Sequence, residues 1–175
     1  MIQIIPQASR RAFLRMGILS TMSSAFLGCG GRRGASPDLK LQQVESLPIG
    51  LTVSHAPNPV RPIHGGRSGQ KFTWLHSTKV EAIRANLRVV EFGAFGWAGG
   101  EWHFTTYTGK PFTAANFADW YGCPGATLLR GKAYTDPQNW TGTNVPTPSK
   151  TRWYFIAVDA TSRAFRGDAV VELLP

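Results

Sequence analysis

The clearest periodic signal in the chain runs from Leu87 to Tyr107. Leu87–Trp97 is strongly apolar and rich in β-branched and aromatic residues, among them Val89, Val90, Phe92, Phe95 and Trp97. That composition suits a pleated, half-buried surface. Ala98-Gly99-Gly100 then supplies a turn able to take positive φ, and Glu101–Tyr107 resumes with aromatics and threonines. The pattern predicts a β-hairpin. Ahead of it, Lys71–His76 and Lys79–Arg84 read as two short strands. Behind it, Thr113 is placed to cap a helix over Ala114–Tyr121, with Pro111 before it and Gly122 in the terminating position. Phe117, Trp120 and Tyr121 recur at i, i+3, i+4 and give that helix one apolar face to lay on a sheet. Leu128–Leu129 and Ala133–Tyr134 read as minor strands. Asp136 to Lys150 reads as a long polar loop carrying three prolines and Trp140. Arg152–Val158 and Ala169–Leu174 are apolar runs that predict a closing hairpin, with Asp159–Asp168 as its turn.

The N-terminal third is patterned differently. Pro48 to Gly69 is punctuated by proline and glycine and reads as extended or looped backbone. Gly30 to about Leu47 carries few large apolar residues and reads as a flexible linker. Met16 to Leu27 is an apolar stretch of about twelve residues. As a helix it would rise only about 18 Å, short of the roughly 30 Å hydrocarbon core of a bilayer. It fits the h-region of a signal peptide better than a membrane span.

The residues ahead of that stretch carry a resemblance. Ser9-Arg10-Arg11-Ala12-Phe13-Leu14-Arg15 resembles the twin-arginine export motif, in which Arg10, Arg11, Phe13 and Leu14 hold the specified positions. Phe26-Leu27-Gly28-Cys29 resembles a lipoprotein cleavage box at Gly28 and Cys29 and departs from it at Phe26 and Leu27. The resemblance implies a signal peptide over 1–28, lipid on Cys29 and a tether over 29–47. It also implies a periplasmic or cell-surface location, anchored to the membrane. The twin-arginine route carries folded proteins, many loaded with cofactors. It covers only the first 29 residues and says nothing of the fold beyond them.

Composition narrows the remaining classes. The formal charge of +9 falls to +6 once Arg10, Arg11 and Arg15 are set aside, since sixteen of the nineteen basic residues then face ten acidic ones. The sixteen are spread along the chain and form no concentrated stripe, so a nucleic-acid partner is not expected. Attraction to an anionic membrane or wall polymer is the weaker consequence of such a charge. Nineteen glycines, twelve prolines and six tryptophans point to short strands and many turns. Residues 48–175 are therefore expected to form one mainly β domain, an immunoglobulin-like β-sandwich with one short helix; an α+β mixed sheet is the alternative.

Candidate chemistry is sparse. The four histidines, His55, His64, His76 and His103, show no His-x-His or His-x₃-His spacing. His76, His103 and Cys123 could converge on a transition-metal site only through the tertiary fold. Cys123 is followed by Pro124-Gly125-Ala126-Thr127, without the His or Met of a blue-copper loop. No Gly-x-Ser-x-Gly, Ser-x-x-Lys or His-Glu-x-x-His is present. Glu91 and Glu101 flank the first hairpin and could face each other across it, although ten acidic residues offer many such accidental pairs. Trp97 and Trp102 beside the Gly-Gly turn, with Trp140 in its polar loop, are the aromatics expected at the surface, suited to envelope protein or polysaccharide. The sequence thus favours a non-catalytic binding or accessory protein of the envelope without a cofactor. A small metal or redox protein using His76, His103 and Cys123 is the alternative.

Overall fold

The computed structural model describes residues 39–67 and 69–175. The export motif (Arg10, Arg11, Phe13, Leu14) and Cys29 lie outside the described residues. From Leu39 the order is α1 (Leu39–Glu45), β1 (Leu51–Ala56), β2 (Ile63–His64), β3 (Phe72–Ala82), β4 (Leu87–Ala98) and β5 (Glu101–Phe104), then β6 (Phe112–Thr113), α2 (Ala114–Trp120), β7 (Thr127–Leu128), β8 (Ala133–Thr143), β9 (Ser149–Val158) and β10 (Ala164–Leu173).

Two antiparallel sheets form a β-sandwich. In one sheet β3 is central, with β1 and β2 on one side and β8 on the other. The other runs β10-β9-β4-β5, and β6 and β7 add short pairings to β4. The segment around β1 ties one edge of the sandwich shut. β1 pairs with β3, while Gly50 N–H donates to Arg166 O and Val60 N–H donates to Glu172 O, both on β10. β1 and β10 approach so closely that a Cβ at Gly167 would lie 2.4 Å from the Leu51 Cβ.

Burial alternates as a sandwich requires. Trp74, Val80, Val89, Phe92, Phe155, Leu128 and Val171 fill the space between the sheets, and α2 contributes Phe117 from one margin. Phe92 is the hub, stacked parallel to Phe155 at 5.5 Å and ringed by Phe112, Phe117, Trp120 and Tyr121. The cap of α2 matches the sequence expectation. Thr113 Oγ1 accepts from Asn116 N–H, while Asn116 Oδ1 accepts from Thr113 N–H.

Four features depart from the expectations. The first is α1, which occupies part of the segment read as linker. Its Val44 is fully buried against Phe95, Tyr154 and Ile156, on the outer face of the β9–β4 sheet. Lys40 pairs with Glu91 and Glu45 with Arg152, so these seven residues are pinned by two ion pairs and by Val44, with Leu41 packed beside it. Second, Pro48–Gly69 contains β1 and β2. Third, the two strands read before the first hairpin are one, β3. Fourth, the polar loop from Asp136 is largely β8, and the last hairpin turns over fewer residues than expected.

Pro137 explains the β8 misreading. Register runs Thr78↔Asp136 and then His76↔Asn139, so Pro137 and Gln138 together oppose Ser77 in a β-bulge. A proline that cannot donate to a ladder is tolerated at a bulge on an edge strand.

Candidate functional site

The first hairpin forms as expected, with Gly99 and Gly100 at φ +61° and +87° in its turn. Trp97 and Trp102 stand directly opposite each other across it, ring centroids 5.1 Å apart in an edge-to-face arrangement. Both project from the outer face of the sheet, beside the patch that α1 covers. Lys150 of β9 lies over them, its Nζ 4.0 Å from the Trp97 centroid and 5.3 Å from that of Trp102. Ser149 Oγ donates to the Trp97 carbonyl. The pair is therefore half-buried and already holds a cation of its own chain. Trp97→Ala is expected to cost about 1–2 kcal/mol, between the roughly 3–5 kcal/mol of a core aromatic and the under 0.5 kcal/mol of an exposed one. Thermal melts of that variant check the intermediate burial.

Trp140 sits elsewhere. It is on β8, and its ring stacks on Tyr107 at 5.9 Å with 16° between planes. Tyr107 follows β5, is 55% exposed, and leans on Phe112 at 5.3 Å. The two aromatic groups mark the same end of the sandwich. Thr141, next to Trp140, donates through Oγ1 to Thr151 Oγ1, and Thr151 pairs with Gly96, next to Trp97. The structure thus brings Trp97 and Trp102 into contact and puts Trp140 on the other side of that end. Tyr107 is the member that sequence reasoning missed, because its exposure follows from the turn after β5 and not from any local pattern.

The three residues of the alternative metal reading do not come together. His76 is buried on β3 between the sheets. His103 is exposed on β5, its Nε2 3.2 Å from Ala98 O. Cys123 follows α2 in the apolar core as a free thiol, and burial pushes its pKa up. Among the described residues, no three side chains of His, Cys, Asp or Glu gather to hold a metal ion. Glu91 and Glu101 do not face each other either. Glu101 pairs with Ala98, seven residues along β4 from Glu91, or about 23 Å. Glu91 instead accepts from Tyr154 Oη at 3.0 Å and pairs with Lys40.

What His76 does have for company is His55, on β1, with ring centroids 5.2 Å apart. His55 Nε2 lies 3.2 Å from Ala169 O. A carbonyl only accepts, so this nitrogen carries the proton, and in the neutral ring Nδ1 accepts from Thr78 Oγ1 at 3.0 Å. Thr78 Oγ1 in turn accepts from Asn139 Nδ2 at 2.8 Å, and Asn139 Oδ1 from Trp140 N–H at 2.8 Å. The run has one direction and links β8, β3, β1 and β10. His76 Nδ1 donates to Trp74 O at 3.3 Å, leaving Nε2 buried without a partner among the described residues. Burial and the neighbouring His55 hold the His76 pKa down at about 4, and burial also lowers that of His55. Both rings are neutral structural members near pH 7.

No family model matches the chain, and no curated protein matches it. Among solved structures, the chain is similar to the crystal structure of a Bordetella pertussis protein designated ApaA, with 14% sequence identity over 74% of this chain and 97% of that one and a TM-score of 0.43.

Proposed function

We propose that this protein is exported through the twin-arginine motif at Arg10 and Arg11, is anchored by lipid on Cys29, and acts in the envelope as a non-catalytic binding protein. The observation that carries the binding reading is the Tyr107–Trp140 stack. The two rings are nearly parallel, and Tyr107, 55% exposed, leaves apolar ring surface open to solvent at the rim of the sandwich. Such faces suit sugar rings, which offer C–H groups on one side and hydroxyls at the edge. The side chains with acid–base capacity in the interior serve the fold: His55 bonds strand to strand, His76 is held neutral, and Cys123 is sealed in the core. That favours recognition over turnover, and an envelope polysaccharide over a small reactive substrate.

The test is a titration with soluble peptidoglycan fragments, followed by tryptophan fluorescence. Binding is expected in the native chain and at least about tenfold weaker in Tyr107→Ala, since a well-placed aromatic contact is worth on the order of 1–2 kcal/mol or more. Saturable binding that Tyr107→Ala and Trp140→Ala leave unchanged would remove the stack from the reading, and turnover of the fragments would replace it with an enzyme.

A further inference from the structure

The end of the sandwich opposite the tryptophans has a different character. It is built from the β3–β4 turn, the loop between β7 and β8, and the start of β4. Arg84, Arg88, Arg130 and Lys132 are all exposed there. They are neighbours by backbone pairing. Arg130 N–H donates to Asn86 Oδ1 at 2.8 Å, Gly131 N–H to Ala82 O at 3.1 Å, and Arg88 sits opposite Thr127. None of the four forms an ion pair with a carboxylate among the described residues, whereas Arg152 and Arg166 elsewhere do. Asp159, in the β9–β10 turn at the same end, has its carboxylate taken up by Thr161 and by Arg163 N–H. Next in sequence to Arg84 and Arg130 are two exposed aliphatic side chains, Ile83 at 44% and Leu129 at 45%.

We propose that this end docks on an anionic bilayer surface, with Ile83 and Leu129 entering the headgroup layer and Arg84, Arg88, Arg130 and Lys132 facing lipid phosphates. Three cations without a carboxylate partner, a fourth (Lys132) held 5.1 Å over the Tyr134 ring, and two exposed aliphatics match the two attractions that hold peripheral proteins at membranes, charge and shallow apolar insertion. A soluble polyanion would use the cations and leave the aliphatics without a role. The direction of the chain agrees, and this point alone rests on the anchored reading. Lys40, in the first turn of α1, is fixed beside Glu91, about 10 Å along β4 from Arg88 and about 20 Å from Trp97. The ten residues from Cys29 to Leu39 span at most about 35 Å. An anchor at Cys29 is therefore compatible with the basic end resting on the bilayer.

Amide hydrogen exchange of the full chain on vesicles tests the proposal. One set is phosphatidylcholine alone, the other equimolar phosphatidylcholine and phosphatidylglycerol. Flotation with the neutral vesicles reads the lipid anchor separately from the basic end. On the anionic vesicles, exchange over 82–88 and 128–132 is expected to slow, with 97–107 unchanged. Arg84→Gln with Arg130→Gln should weaken the added anionic-lipid response about 25-fold, at roughly fivefold per basic residue. Neither side chain bears on the core, and a thermal melt confirms that the variant is folded. Equal protection on both vesicle types, protection at 97–107 instead, or equal protection by soluble polyphosphate would each overturn the proposal, whatever the flotation shows.

Discussion

Acidification from pH 6.5 to about 4 is expected to cost the domain about 3 kcal/mol of stability. The cause is the His76 ring, whose folded pKa is lowered to about 4 from an ordinary 6.5. The folded state binds fewer protons than the unfolded one between those values, so stability rises with pH across the window. Above 6.5 both states are neutral at this site and the full contribution is present. As the pH falls the unfolded chain gains a proton that the folded chain refuses, until the folded ring also titrates near 4. A difference of about 2.5 units at about 1.36 kcal/mol each gives the figure. His55, also lowered, adds loss in the same direction. Urea melts at a series of pH values measure the slope, and His76→Asn should flatten most of it while lowering stability at neutral pH. A wild-type slope that matches the variant's would show that the imidazole is not what resists protonation.

Phe92→Ala is expected to remove about 4 kcal/mol, the other large effect. The side chain is fully buried and touches rings from β6, α2 and β9 at once, so deleting it leaves a void that rigid aromatics close poorly. For a domain of this size that is a fall in Tm of roughly 15 °C. A loss under about 1.5 kcal/mol would mean that the rings around it collapse onto one another, and that α2 is not clamped by the hub.

The legibility of this chain followed the locality of each signal. The first hairpin and α2 were readable because their turn glycines, cap and apolar spacing lie within a few residues. The β-sandwich followed from many short aromatic-rich runs with a single helix. β8 was hidden because Pro137 is permitted only by its bulge opposite Ser77, a partner sixty residues earlier in the chain. α1 was hidden because its stability comes from Glu91 and Arg152, on strands that its own sequence does not describe. The same reasoning divides the sites. Trp97 and Trp102 were found beside their turn, whereas the His55–Thr78–Asn139 run joins three strands and has no sequence signature. His76, His103 and Cys123 illustrate the converse, since nothing local could tell that the three fold into different environments.

The bulge in β8 also bears on how the protein behaves when concentrated. β8 is the outer strand of its sheet, eleven residues long, and a straight strand of that length would offer an uninterrupted row of N–H and C=O groups to a second molecule. At Pro137 the row lacks a donor, and at the bulge the strand bends and its spacing breaks. A neighbouring copy can match the ladder on one side of that point or the other, but not across it. An edge broken in this way cannot template its own propagation. The proline that hides this strand in the sequence is also the one that interrupts its edge.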